Sequence, residues 1–203
     1  MFALLAYDRV APAAPTHETY FGGKPSLASG SSWPICRSCR GNMQFLGQVQ
    51  DGANSHIALF MCQNDPGMCD EWDANAGGNC AMQVDDGSMS AIDPPAEGEV
   101  SRGDAYGMRP VIRNEGGYQD ARKAWLAAGG QARGILGSLG GVPDWVQADE
   151  TPTCDECAAP MDFVAQLEEG PDHRTAMNFG GGGLAYVFKC TCGHKSAKLL
   201  WQS

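Results

Sequence analysis

Two C-x-x-C pairs, Cys36-x-x-Cys39 and Cys154-x-x-Cys157, stand 118 residues apart and constrain this chain more than any other feature. Each pair lies in a longer stretch that repeats without a gap: residues 22–48 align with residues 140–166, and nine of the 27 positions are identical. Average composition would give roughly two identities. The excess indicates an internal duplication.

Each C-x-x-C pair is followed by a segment in which apolar and polar residues alternate, as in a half-buried β-strand. The two segments share one phase, so Phe45 and Phe163 are predicted to point into the core from equivalent positions. A second apolar run follows in each half, at 57–61 and 184–189, and leads directly into the next cysteine. Each half therefore has the pattern of two strands next to a cysteine cluster.

The predicted fold class is α+β and mostly β, because 27 glycines and 12 prolines favour short strands and tight turns. We expect an internally duplicated pair of β-rich halves, about 20–83 and about 138–203, each with a zinc-ribbon-like four-cysteine site. A loop and helix segment, about 84–137, joins them, and we expect one compact domain over 1–203.

Within the joining segment, residues 84–110 are rich in Asp, Glu, Ser, Gly and Pro, which is typical of a loop or linker. Residues 118–128 are the best helix candidate, and Gly129 and Gly130 mark its end. Between the second pair of strands, residues 168–183 are predicted to form a longer loop.

The second half contains a complete set of metal ligands, which come from a turn and from a strand end: Cys154, Cys157, Cys190 and Cys192. Four thiolates satisfy tetrahedral zinc and leave no position open for water or substrate. His194 lies in the same cluster and could replace one thiolate.

In the first half three cysteines occupy the corresponding positions: Cys36, Cys39 and Cys62. The fourth ligand is Cys69 or Cys80. Cys69 is nearer in the chain and follows a Pro66-Gly67 turn, whereas Cys80 remains possible because loop closure penalises distance only weakly. We predict two zinc ions per chain. Buried free cysteines or a redox C-x-x-C are the competing interpretations, but a redox pair normally opens a helix and these pairs precede strands.

Composition bears on partners and location. The net charge of −10 has the wrong sign for neutralising phosphates, so nucleic acid is not an expected partner. The N-terminal residues lack the basic start of a signal peptide, and no apolar run approaches the ~18 residues of a membrane span. We expect a cytoplasmic protein that binds an unidentified protein partner and does not bind a membrane.

The motifs together resemble the YwqG-like family of bacterial proteins and, more distantly, the eukaryotic programmed cell death protein 2. The resemblance spans about residues 20–203 and rests on these motifs: Gly22-Gly23-Lys24-Pro25, Trp33-Pro34-x-Cys36-x-x-Cys39, Met43-x-Phe45-Leu46-x-Gln48, Cys62-Gln-Asn-Asp-Pro-Gly-Met-Cys69-Asp-Glu-Trp72, Gly140-Gly141-x-Pro143-Asp144-Trp145-x-Gln147 and Tyr186-Val187-Phe188-x-Cys190-x-Cys192. It implies a duplicated β-rich fold and favours Cys69 over Cys80 as a ligand. Programmed cell death protein 2 is associated with chaperoning of ribosomal proteins.

The expected function is therefore a zinc-stabilised protein-interaction module, namely an adaptor, a chaperone-like factor or an immunity protein. The sequence contains no Ser-His-Asp order, nucleophile elbow or histidine-rich hydrolase motif, so an enzyme is the less favoured class. The alternative is a metal-dependent enzyme in which one zinc site is open to substrate.

Overall fold

The computed structural model describes residues 2–85, 87–114 and 117–203. Strands dominate this part of the chain, and they are β1 Ala3–Asp8, β2 Tyr20–Phe21, β3 Ser26–Ala28, β4 Gln44–Gly52, β5 Ser55–Met61, β6 Asn79–Val84, β7 Met89–Ala91, β8 Tyr106–Ile112, β9 Ile135–Leu139, β10 Asp162–Leu167, β11 Leu184–Lys189 and β12 Ser196–Gln202. Helix α1 covers Tyr118–Ala127, and a 3-10 turn follows at Ala132–Gly134. The prediction of a mostly β chain is confirmed.

Ten of these strands close into one antiparallel barrel in the order β1-β8-β2-β4-β5-β6-β12-β11-β10-β9, with β9 pairing back onto β1. Outward from the β1·β8 pair, the barrel runs through β2, β4, β5 and β6 on one side and through β9, β10, β11 and β12 on the other. Six residue pairs join β1 to β8, but only two join β6 to β12. The β6·β12 contact is therefore a short seam of the barrel, as are the contacts of β2 with β4 and with β8.

The same local contacts recur at a spacing of 118 residues. The Gly22 N–H donates to Leu46 O at 3.0 Å, and the Gly140 N–H donates to Val164 O at 2.8 Å. Both early strands carry a bulge at the same place, between Phe45 and Gly47 in β4 and between Phe163 and Ala165 in β10. The two segments that align in sequence thus make matching backbone contacts.

Strand β5 is buried on both of its faces, and this explains how the core is divided. Leu59 and Met61 belong to a central cluster that also draws on β1, β2, β4, β9, β10, β11 and β12. Ala58 and Phe60 alternate with them and belong to a second cluster, which contains Cys36, Cys62 and Cys69. A third cluster surrounds Cys154 and Cys190 in the same way. The prediction of half-buried strands is wrong, because loops and the cysteine turns cover the face of these strands that points away from the barrel interior.

The expectation that Phe45 and Phe163 are equally buried is also corrected. Phe45 is fully buried against Phe60, with ring centroids 5.3 Å apart, whereas Phe163 packs on Phe188 at 5.7 Å and is only partly buried. Both side chains lie in the outer clusters with the cysteines. The bulge that follows each phenylalanine turns the next residue, Leu46 in β4, into the central cluster instead.

Two buried glutamines occupy equivalent positions and hold the loops that precede the cysteine turns. Gln48 Oε1 accepts from the Ser26 N–H at 3.3 Å, and Gln166 Oε1 accepts from the Asp144 N–H at 2.9 Å. Neither glutamine is exposed to solvent. In the alternating segments both glutamines fall among the polar residues, and the bond of each Oε1 to the backbone offsets part of the cost of burying the amide.

The joining segment differs from its prediction. Residues 84–110, predicted to be a loop or linker, contain β7 and most of β8, and β8 is a barrel strand. The helix is confirmed at Tyr118–Ala127, and Gly129, with φ of 86°, follows its end. Among the described residues no helix has the length and apolar character needed to cross a membrane.

Candidate metal centres

The first C-x-x-C pair lies in a tight turn that an isolated bridge between Ile35 and Asn42 closes. The Cys36 N–H donates to Gly41 O at 2.9 Å, and the Arg40 N–H donates to Cys36 O at 3.0 Å. Arg40 takes the left-handed conformation, with φ of 63°. This turn directs two sulfurs of one short segment to the same side.

The other two sulfurs of the first group come from the end of β5 and from the loop that follows. The Cys62 N–H donates to Gly78 O at 2.8 Å, so the end of the loop is fixed beside the ligand. A Cβ on Gly78 would lie 2.2 Å from Cys69 O, and therefore only glycine fits there. The close approach of these backbones brings Cys69 back to the cluster.

Glu71 fixes the turn at Cys69 by hydrogen bonds to its backbone. Its side chain is buried, and its carboxylate accepts from the Gly67 N–H at 2.5 Å and from the Cys69 N–H at 3.3 Å. Asn79 in turn donates to Glu71 O at 2.9 Å. A buried carboxylate with two backbone donors fixes this turn strongly, because charge-assisted hydrogen bonds are the stronger class.

The second group repeats the turn and replaces the long loop with a hairpin. The Cys154 N–H donates to Ala159 O at 2.9 Å, and Ala158 takes the left-handed conformation, with φ of 59°. Cys190 follows β11, and its N–H donates to Ser196 O at 2.8 Å across the β11–β12 hairpin. Cys192 lies in the hairpin turn between them.

Within each group all four sulfurs lie within 4.8 Å of one another: Cys36, Cys39, Cys62 and Cys69 in group 1, and Cys154, Cys157, Cys190 and Cys192 in group 2. Sulfur pairs are 3.5 Å apart for Cys39–Cys62 and 3.5 Å for Cys157–Cys190. Four sulfurs placed ~2.3 Å from a central zinc are about 3.8 Å apart in a regular tetrahedron. Both groups are thus close enough to bind a metal ion.

Neighbouring N–H groups point at the sulfurs of group 1. Asn64 Nδ2 lies 3.5 Å from Cys62 Sγ and 3.9 Å from Cys39 Sγ, and it donates to Asn42 O at 2.9 Å. The Gly41 N–H donates to Cys39 Sγ at 3.5 Å. Such donors stabilise negative charge on thiolates and orient them, as surrounding residues do at metal sites.

Hydrogen bonding also makes one thiol in each group more acidic. The N–H groups of Cys157 and Glu156 lower the pKa of Cys154 to about 6, and the Gly41 N–H lowers the pKa of Cys39. The thiolate is the form that binds metal. These two cysteines therefore ionise more readily than an ordinary thiol before a metal enters.

The remaining thiols with resolved shifts are held protonated in the free protein. Burial raises the pKa of Cys62 and of Cys69, and the adjacent Cys192 raises the pKa of Cys190 to about 12. Binding of a metal must therefore expel protons from these thiols, so its affinity rises with pH.

Two residues that the sequence left open lie outside the groups. Cys80 is on β6, opposite Phe60, and burial raises its pKa to about 11. His194 is exposed in the hairpin turn, and neither residue belongs to a metal-binding group among the described residues. The structure thus brings Cys69 into group 1 and leaves Cys80 apart.

Aromatic rings pack in the two clusters that contain the cysteines. Trp33 meets Phe60 at 5.3 Å in an edge arrangement, and Trp145 stacks on Phe188 at 5.9 Å. These two tryptophans pack in the clusters that contain the cysteines. Sequence reasoning missed Asn64 and Glu71, because a single amide or carboxylate in a loop has no signature of its own.

A tetrathiolate group is a soft ligand set that suits zinc or iron in tetrahedral geometry. Closed sites of this kind stabilise folds and do not activate water. Comparison with protein-family models and with curated proteins found no match to this chain.

Proposed function

We propose that this chain is a zinc protein that holds one structural zinc ion in each four-cysteine group and serves in binding another protein. The observation that carries the proposal is the convergence of two complete sets of four sulfurs, each within 4.8 Å. Eight cysteines packed only as small apolar side chains have no reason to meet in two tetrads. When bound, zinc would cross-link the turn, the strand end and the loop of each half.

The metal content of the purified protein tests this proposal directly. We expect about two zinc ions per chain after purification under reducing conditions without chelator, because structural zinc sites bind with ~10–16 kcal/mol at neutral pH. Plasma emission measured against protein concentration gives the ratio. Iron in place of zinc would correct the metal, and a reproducible value near zero for both would refute the proposal.

Membership of the YwqG-like family and origin by internal duplication belong to the same proposal. The matching contacts at a spacing of 118 residues support the duplication, as do the bulges that follow Phe45 and Phe163. Two halves that share strands of one barrel would also explain the single compact domain expected from the sequence.

A role in protein interaction is supported by apolar side chains exposed beside group 1. Ile35 precedes Cys36 and is 57% exposed, and Met68 precedes Cys69 and is 72% exposed. Zinc at this group would fix both residues, because each adjoins a proposed ligand. Apolar residues that together form an exposed patch mark interaction sites, and Ile35 and Met68 would contribute to such a patch here.

Affinity capture with a matched control tests the interaction. The zinc-loaded protein should retain a stoichiometric partner from native cell extract, and Met68→Glu should lose it while keeping its zinc. Val10→Glu is the control, since Val10 is 76% exposed and lies away from the cysteine turns in sequence. Equal retention by Met68→Glu and the unmodified protein would contradict a binding surface at group 1.

A metal-dependent enzyme is the alternative from another class. Catalytic zinc usually has three protein ligands and an open fourth position. Because each group offers four sulfurs, the non-enzymatic role is better supported. Metal spectroscopy that detects a bound water at either site would favour the enzyme instead.

A further inference from the structure

A buried lysine lies between the two cysteine groups. Lys198 is on β12, only 7% of it is exposed, and its Nζ donates to Asn75 Oδ1 at 2.5 Å and to Asp155 Oδ1 at 2.7 Å. Asn75 belongs to the loop between Cys69 and β6, and Asp155 lies between Cys154 and Cys157. One ammonium group therefore joins the loop of group 1 to the turn of group 2.

This contact lies at the β6·β12 seam of the barrel, which is a short one. Strands β6 and β12 pair through Met82 with Ser196 and through Ala81 with Ala197 only. Beyond these pairs a cleft of about 510 Å³ opens, and its lining includes Lys198, Asn75 and Asp155. Only two residue pairs form between these strands, so the Lys198 contacts add to the connection between the two halves.

Other contacts tie the group 1 loop to the same place. The backbone N–H of Trp201 in β12 donates to the backbone O of Trp72 at 3.2 Å, and the centroids of their indole rings are 6.3 Å apart. The Arg37 N–H, in the first C-x-x-C turn, donates to Gly77 O at 3.0 Å. The loop from 70 to 78 thus lies between the first cysteine turn and the strand that follows the second group.

From this geometry we infer that Lys198 is a positioning residue that couples metal binding at the two cysteine groups. The inference rests on the proposed zinc sites. Metal at group 2 fixes the turn that carries Asp155, Asp155 then holds the Lys198 ammonium, and Lys198 holds Asn75 in the loop that presents Cys69. If the buried Lys198 loses its contact with Asp155, its side chain holds Asn75 less rigidly, because a buried lysine depends on its partners for a fixed position. Each metal therefore makes the other site better organised.

Cobalt(II) titration of single-site variants measures this coupling, because cobalt–thiolate absorbance reports a metal bound by sulfur. Cys157→Ser removes an exposed ligand of group 2, and the affinity of group 1 for cobalt in that variant should fall about tenfold relative to the full chain, within the usual range of coupling between sites. Cys39→Ser gives the reciprocal measurement, and linkage requires the same factor.

Lys198→Met keeps an unbranched side chain that is one atom shorter, and it removes the charge and the hydrogen bonds. With Lys198→Met present, the effect of Cys157→Ser on the affinity of group 1 should shrink to less than about threefold, while Lys123→Met, at a lysine 77% exposed on α1, should leave the tenfold effect unchanged. Asn75→Ala breaks one of the two contacts and serves as a second variant if Lys198→Met does not fold.

The outcomes separate the two proposals. Absence of cobalt–thiolate absorbance in the unmodified chain would overturn the metal sites themselves. Two metals bound with affinities that do not depend on each other would overturn the coupling alone. The same loss of coupling in Lys123→Met would show that Lys198 has no specific part in it.

Discussion

Cys69→Ser should remove one zinc ion per chain and lower the free energy of unfolding by more than about 4 kcal/mol, a size of effect seen when a metal site is lost. Cys69 is 2% exposed, and its sulfur lies with those of Cys36, Cys39 and Cys62. Three sulfurs and a serine bind zinc much more weakly than four thiolates. The loop from 63 to 78 would then lose its main cross-link to the barrel.

Cys80→Ser is the matched control for this experiment. Cys80 is also a cysteine of the first half, but it lies on β6 outside group 1, and burial keeps its thiol protonated by raising its pKa to about 11. We expect it to keep both zinc ions and to change stability by no more than about 1 kcal/mol. Zinc content and denaturant unfolding, measured for both variants, show which cysteine is the fourth ligand of group 1. If Cys80→Ser lost a metal and Cys69→Ser did not, the fourth ligand would be assigned wrongly.

Phe45→Ala should lower the free energy of unfolding by ~3–5 kcal/mol, the range for removing a fully buried aromatic ring. Phe45 has no exposed surface, and its ring lies 5.3 Å from that of Phe60 and 6.2 Å from that of Tyr20. A cavity there would lie in the cluster that contains Cys36 and Cys62. We expect the zinc of group 1 to become easier to remove by chelator as well.

The equivalent substitution in the other half should have a smaller effect. Phe163 is only partly buried, so Phe163→Ala should cost about 1–2 kcal/mol. Gln50→Ala, at a partly exposed position of β4, should stay within about 0.5 kcal/mol and controls for the strand. Denaturant unfolding of the zinc-loaded variants gives the three values. A cost for Phe163→Ala equal to that of Phe45→Ala would contradict the difference in burial.

The cysteine pattern allowed much of the site to be predicted, because metal ligands have to be particular residues at particular spacings. The sequence identified seven of the cysteines that gather in the two groups, and for the eighth it favoured Cys69 while Cys80 remained possible. Loop closure alone separates these two residues weakly. The contacts of Gly78 and Glu71 at the Cys69 turn decide between them, and both depend on chain segments that meet only in the folded protein.

The strands after the cysteine turns were also predictable, since apolar runs such as 57–61 and 184–189 have a clear local signal. Their burial on both faces was not. Alternation reports one buried face, whereas here the second face is covered by the cysteine turns and loops, which bury Phe45 and Gln48. Strand β8 was missed because Arg109 and Pro110 interrupt its apolar pattern.

By itself the sequence determined the mostly β character of the chain, the two C-x-x-C turns and the repeat of 118 residues, because these depend on local residue types and spacing. Only the tertiary structure decided that strands from both segments close one barrel, and that Lys198 lies between Asn75 and Asp155 at the β6·β12 seam. The β1·β9 and β6·β12 pairs and the Lys198–Asn75 contact join residues more than a hundred positions apart. Their choice depends on the packing of the whole chain, which no local pattern records.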